Sequence, residues 1–392
     1  MARSPGRIGG GSGPPGLPPE AFAAALTCLP GMGPARLSAI LRTEPAALAW
    51  SRIRGGTAWH DADVLAALGS RPDAFMARWR RAATEIDPAV AWQAIVDQGI
   101  GVAVIGSAGY PPVLAADMEP PGVVFHRGSP DVVAGPRVAV VGTRQCSATG
   151  AAIACELGRD LASAGVAVVS GLASGIDAAG HRGALSAAGD GAGAPPIGVV
   201  GSGLDVVYPR GQAGLWRAVA CHGVLLSEAP LGARPERWRF PARNRVIAAL
   251  ADLVVVVESH RTGGSMHTVD EADRRGIDVM AVPGSVRAPA SAGTNGLLAE
   301  GRAPVCSADD VLVALGLGPA GRRPRDEARP RPDPADVPVL DAVGWQPATL
   351  DQIGVRTGHG LAVLAPALDR LCEAGWVARR GGWYERIARG TP

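Results

Sequence analysis

The chain has 392 residues, 47% of them apolar, and a net charge of only +2. Such a length allows two or three domains with a sizeable core, and so small a charge neither requires nor excludes a nucleic-acid partner. All 38 basic residues are arginine, so a P-loop built on Gly-Lys-Ser/Thr and Schiff-base chemistry on a lysine are both excluded.

Residues 1–18 are rich in Gly and Pro and are predicted to form a disordered tail. Over residues 19–99, apolar side chains recur at three- and four-residue spacing, which predicts a helical domain. Within it, Leu29-Pro30-Gly31-Met32-Gly33-Pro34-Ala35 joins two short helices. That segment reads either as a helix-hairpin-helix (SAM-like) element, whose glycine amides can meet a DNA phosphate, or as a plain interhelical turn. Across residues 100–318 the pattern changes to short β-branched runs, each followed by glycine and a helical stretch. The clearest are Val138–Val141, Val166–Val169, Ile197–Val200, Val254–Val257 and Val279–Val282. Continuous apolar strands alternating with helices predict an α/β domain: a Rossmann-like, doubly wound sheet covered on both faces. Ala187–Pro196 reads as a flexible surface insertion, and residues 319–334 as a charged, proline-rich linker that few contacts should cross. In residues 335–390, two helical stretches precede a Gly381-Gly382 hairpin, the pattern of a winged helix.

Four strand ends of the α/β domain carry unusual loops, and open α/β sheets bind ligands at the carboxyl ends of their strands. The first loop is Gly142-Thr143-Arg144, where glycine lets a phosphate approach, helix amides point at it and arginine adds a charged fork. The second holds Ser170, Gly171, Ser174 and Gly175 and runs into Asp177; the third holds Gly201, Gly203 and Asp205 and leads to Arg210. The fourth is Gly263-Gly264-Ser265. A nicotinamide dinucleotide fits poorly, because Val206 stands where the third glycine of G-x-G-x-x-G belongs. The segment Arg237-Trp238-Arg239-Phe240-Pro241-Ala242-Arg243-Asn244-Arg245 interleaves four arginines with two rings. Charge that tracks a backbone, beside rings that stack on bases, is the make-up of a single-strand binder. Asp177 and Asp205 are expected to anchor backbone amides, since a carboxylate facing phosphate would repel it.

Taken in order, V-G-T-R, S-G-L-A-S-G-I-D, G-S-G-L-D-x-x-Y-P-R, F-P-x-R-N-R, G-G-S-M-H-T and A-V-P-G-S-V resemble the DNA-processing protein A (DprA/Smf) family over roughly residues 105–315. The resemblance implies an extended Rossmann fold, a homodimer, binding of single-stranded DNA and delivery of that strand to RecA recombinase in natural transformation or repair. It places Arg144, Arg210, Arg243, Asn244 and Arg245 on the strand, where the residue pattern above already puts Phe240 and the glycine loops. Arg210 stands where family members commonly carry lysine, keeping charge but changing hydrogen-bond geometry.

An enzyme reading remains as the alternative. Gly263–Thr268 followed by Asp270 and Glu271 faintly resembles the P-G-G-x-G-T-x-x-E loop of nucleoside-monophosphate phosphoribohydrolases, but it is one residue longer and has Thr262 for the proline. Neither a G-x-S-x-G elbow nor H-E-x-x-H occurs. His181 and His267, which follow glycine loops, are expected to cap or pack locally. Six cysteines without a C-x-x-C pair suggest reduced thiols rather than a zinc site. Accordingly no catalytic residue, metal or cofactor is expected, nor any membrane contact, and the location expected is cytoplasmic.

Overall fold

A computed structural model describes residues 16–188, 193–318, 330–344 and 346–387. Most of the expected tail and linker, and the centre of the expected insertion, lie outside them. The helical stretch folds as α1 (Pro19–Thr27), α2 (Pro34–Thr43), α3 (Ala46–Gly55), α4 (Ala62–Leu68), α5 (Pro72–Glu85) and α6 (Pro88–Asp97). Next come β1 (Gly101–Val104), α7 (Pro112–Ala115), β2 (Val123–Gly128), β3 (Arg137–Val141), α8 (Ala148–Ser163), β4 (Ala167–Ser170), α9 (Ile176–Ala188) and β5 (Ile197–Val199). They are followed by α10 (Ala213–His222), β6 (Val224–Ser227), α11 (Arg239–Leu250), β7 (Leu253–Val256), α12 (Met266–Arg275), β8 (Val279–Ala281), α13 (Ala292–Ala299), β9 (Ala303–Pro304) and α14 (Ala308–Ala314). The chain ends in α15 (Val337–Val343), β10 (Ala348–Thr349), α16 (Leu350–Thr357), α17 (Leu361–Glu373), β11 (Val377–Arg380) and β12 (Trp383–Arg386). Among the described residues, no helix is long and apolar enough to cross a membrane.

The fold divides into two compact units that do not follow chain order. Among the described residues, the first comprises those within 1–131, 200–207 and 225–246, and the second those within 132–199, 208–224 and 247–392. In the first unit the helices pack around Phe22, Leu26, Ile40, Trp50 and Trp79, all nearly inaccessible to solvent. The turn at Gly31 is held from both sides: Trp79 Nε1 donates to Pro30 O (3.1 Å), and Arg36 donates to Gly31 O (2.9 Å) while its guanidinium lies 4.3 Å from the Phe75 ring centre. The unit's strands run in the order β1-β2-β6, with β1 and β2 antiparallel.

In the second unit, the order β5-β4-β3-β7-β8-β9 is parallel throughout. All five residues of β3 and all four of β7 are buried, as continuous apolar runs covered on both faces should be. The amino end of the sheet is locked by Arg137, whose guanidinium meets Asp252 at 2.7 Å and donates to Leu250 O and Val133 O. Val140, Val168, Leu157, Leu161 and Ile176 form one core with α8 and α9. Those two helices meet backbone to backbone. A Cβ on Gly158 would stand 2.1 Å from Gly180 O, and one on Gly183 would stand 1.9 Å from Cys155 O. The C-terminal module has its own core around Leu340, Ile353, Leu368, Leu371, Trp376 and Tyr384, and its strands run β10-β12-β11.

Since neither helix backbone can yield to an added methyl group, Gly183→Ala should destabilise the second unit by about 1–3 kcal/mol, the range for overpacking. Calorimetric melting measures it; an unchanged transition would show that the two helices separate readily.

Candidate nucleic-acid interface

The first two glycine loops of the second unit lie against each other. Gly175 has a φ of +86°, and a Cβ there would fall 2.3 Å from Thr143 O, so only glycine lets the backbones touch. Ile176 N–H donates to Thr143 O (3.3 Å), and Thr143 N–H donates to Glu258 O (2.7 Å), at the end of β7. Leu172 holds a positive φ of 54° with its side chain fully buried. Strained backbone of this kind persists where surrounding packing fixes it, and it concentrates at functional loops. Asp177 accepts the Gly171 N–H at 3.1 Å, so it anchors a backbone amide as its residue type suggested.

Glu258 binds the start of α8 to this arrangement. Its carboxylate accepts Ser147 N–H (2.9 Å) and the Ser147 hydroxyl (2.6 Å), while Ser147 Oγ accepts Gly150 N–H (2.9 Å) as the helix N-cap. The next two amides of the helix end are occupied from the C-terminal module. Ala148 N–H donates to Glu385 Oε2 (3.1 Å), and Thr149 N–H and hydroxyl donate to Glu385 Oε1 (3.2 and 2.5 Å). One expectation is corrected here: the first amides of α8 are filled by protein groups instead of standing open for phosphate. The Glu385 bonds are contacts that cross the proline-rich linker, where few were expected.

Beside this helix end is a cleft of about 420 Å³ lined by Arg144, Gln145, Cys146, Gly175, Arg182 and Arg380. Burial and the nearby Glu258 push the Cys146 thiol upward, while Arg380 and Arg182 pull it the other way. Arg144, Arg182 and Arg380 are exposed, as are Ser174, Arg210 and Gly264. Sequence reasoning missed Arg182 and Arg380. The available signals were an arginine just after the second loop's His181, and the Arg379-Arg380 pair ahead of the Gly-Gly turn.

Other expected contacts hold the framework. Ser170 is fully buried, and its hydroxyl donates to Val140 O (2.7 Å), tying β4 to β3. Ser265 is buried too, with its hydroxyl 2.8 Å from that of Ser259. Neither serine is free to meet a strand directly, because its hydroxyl faces the interior. His181 is buried with Nε2 3.1 Å from Ile197 O, whereas His267 is exposed on α12, 3.8 Å from Asp270. Glu271, where the hydrolase alternative needs its base, is held by Arg274 (3.1 Å) and Arg275 on its own helix. Among the described residues, no group of three or more His, Cys, Asp or Glu could hold a metal ion.

The first unit assembles the remaining candidates. Gly203 N–H donates to Ala233 O (3.0 Å), Ser227 Oγ donates to Ser202 O (2.8 Å), and Asp205 accepts Gly232 N–H at 2.9 Å. The third loop thus lies against the segment leading into α11, with Gly201 beside the Arg239 backbone. Trp238 is 49% exposed with the Arg239 guanidinium 4.6 Å from its ring centre; Phe240 and Asn244 are half-buried, and Arg243 is buried. Arg245 is claimed by the fold: it meets Glu228 at 2.5 Å and donates to Glu119 O (2.6 Å). Arg210 belongs to the second unit, whereas Arg243 and Arg245 belong to the first.

Burial raises the Glu228 carboxyl above its ordinary range, and Arg245 opposes that rise. Arg245→Ala would leave the carboxylate buried without its cation, costing about 3 kcal/mol at neutral pH. A carboxyl raised in the folded state stabilises least when ionised, so this deficit should grow as pH climbs past the usual carboxylate range. Urea denaturation of Arg245→Ala at two pH values tests this; an unchanged midpoint would return Arg245 to the list of strand contacts.

Comparison with known proteins agrees with these features. Residues 86–316 match the family model for DNA recombination-mediator protein A. The putative DNA processing protein DprA of Mycobacterium tuberculosis is 40% identical over 275 residues, 67% of this chain and 69% of that protein. Protein Smf of Escherichia coli is 34% identical over 291 residues, 71% of this chain and 75% of that protein. The X-ray structure of DNA processing protein A from Streptococcus pneumoniae superimposes with a TM-score of 0.61 at 32% identity, covering 75% of this chain and 96% of the other. With the sheet, the loop order and these matches in agreement, the chain belongs to the DNA recombination-mediator protein A (DprA/Smf) family.

Proposed function

We propose that this chain binds single-stranded DNA without cutting it, gripping phosphates at the arginine cleft beside its first two glycine loops. The observation that carries this reading is the cleft itself: Arg144 and Arg182 line one pocket together with Gly175, where two loop backbones touch. Glycine there leaves no side chain between a phosphate and the backbone, and guanidinium forks match phosphate oxygens bidentately. The half-exposed Trp238 and the half-buried Phe240 favour a single strand, because only unpaired bases offer their faces for stacking. In this reading Arg210, Arg243 and Asn244 border the strand, Asn244 by fixing the loop, while Arg245, Ser170 and Ser265 position its neighbours. Family membership supports delivery of the bound strand to RecA recombinase by a homodimer. The order α15, β10, α16, α17, β11 and β12, with its three-stranded sheet, favours reading residues 335–390 as a winged helix. Glu271 bound to two arginines on its own helix speaks against the hydrolase alternative.

A phosphate contact positions a strand without reading its bases. Arg144→Ala should therefore weaken binding to oligonucleotides of every sequence and flatten the salt dependence by about 0.7 in slope. Fluorescence anisotropy across a salt series measures both, and an unchanged slope removes Arg144 from the interface.

Phe240→Ala should cost about 1–3 kcal/mol of binding if the ring stacks on a base. A loss of folding stability with affinity intact would place the ring in the core instead; chemical denaturation and titration of one preparation distinguish the two.

A further inference from the structure

The β11–β12 hairpin carries two charged residues on one face. Ala378 is paired with Glu385 and Arg380 with Trp383, and residues paired across strands project to the same side. Arg379 and Tyr384 occupy the opposite face, where Tyr384 is buried in the module's core. The face holding Glu385 and Arg380 is the one turned to the α/β domain. Glu385, only 8% exposed, spans the Ala148 and Thr149 amides, and Arg380 lines the cleft with Arg144 and Arg182.

We infer that the C-terminal module completes the phosphate site: Glu385 is the latch that docks it on α8, and Arg380 is the third arginine that the docked module contributes. A carboxylate at the positive end of a sixteen-residue helix, bonded to two amides and a hydroxyl, is a directional contact. Through the short hairpin it fixes where Arg380 stands. Three arginines converging on one cleft repel one another, and a phosphodiester relieves that repulsion by lying among them. The ligand class is thus the backbone of a nucleic-acid strand, not a base or a neutral metabolite.

This inference rests on the strand-binding reading, and the two can fail separately. The experiment is anisotropy of a labelled oligo-dT with the full chain, across a salt series. Arg380→Ala should weaken binding by up to about fivefold, the range of an exposed charge contact, and lower the salt slope by about 0.7. Glu385→Ala should produce a similar loss by releasing the module, and the double variant should be no weaker than either alone. Thr149→Val, which removes one latch bond from the α/β side and leaves the module's own residues intact, should shift affinity in the same direction by less. If Arg144→Ala weakens binding while Arg380→Ala leaves affinity and slope unchanged, the composite site is overturned and the strand-binding reading stands. Tighter binding by Glu385→Ala and Thr149→Val would also overturn it, by making the docked module a cover. If the unmodified chain does not bind oligo-dT, the strand-binding reading itself falls.

Discussion

Much of the second unit's geometry depends on Glu258. Its backbone carbonyl accepts from Thr143 in the first loop, and its carboxylate takes both the amide and the hydroxyl of Ser147, the cap of α8. The first loop and the start of the helix it enters are thereby fixed to the end of β7, 111 residues away in sequence. The arrangement leaves no room for a side chain on Gly150, where a Cβ would lie 2.3 Å from the carboxyl carbon. A buried acid bonded to donors on a neighbouring segment works as a strut, and its charge is spread over hydrogen bonds in place of a cation. Arg144 follows one residue after Thr143, so its direction is set by the same strut.

The first unit uses a comparable device with a different chemistry. Asp205 holds the Gly232 amide, Ser227 holds the Ser202 carbonyl, and the Arg245–Glu228 pair joins α11 to the segments around β2 and β6. Each is a polar group spent on backbone or on an internal charge partner. Conspicuous charges in a motif can therefore belong to the framework, as Arg245 does. In Arg243-Asn244-Arg245, Arg243 is buried while Asn244 and Arg245 are half-buried, because a helix turns successive side chains to different sides.

The parallel strands were legible in the sequence because their apolar runs are covered on both faces and leave no alternation to misread. The anchoring roles of Asp177 and Asp205 were legible from chemistry, since a carboxylate near a glycine turn seeks amides before it seeks phosphate. Ser170 and Ser265 misled for a related reason: a serine at a strand end looks identical whether its hydroxyl faces solvent or a neighbouring strand. The two-unit division was hidden, because residues 200–207 and 225–246 fold with the N-terminal helices across long gaps in sequence. Likewise nothing local to Glu385 announces a partner more than 230 residues away. Composition describes a linker, not what lies on its far side.

The close contact of α8 with α9 has a consequence for how the loops behave. Gly158, Gly180 and Gly183 bring the two helix backbones together with no side chain between them. Side-chain packing can slide or change rotamer, but a backbone contact of this kind has one register. The loop entering α8 and the loop entering α9 are consequently carried by a single rigid body, and each is also bonded to the other through Thr143 and Ile176. Ordering them costs nothing at the moment a ligand arrives, because their torsional entropy was surrendered when the helices packed. On the proposed reading, an anion reaching them would meet a surface whose shape is already final, and its capture would be timed by diffusion and by the arginine field, not by rearrangement of the loops.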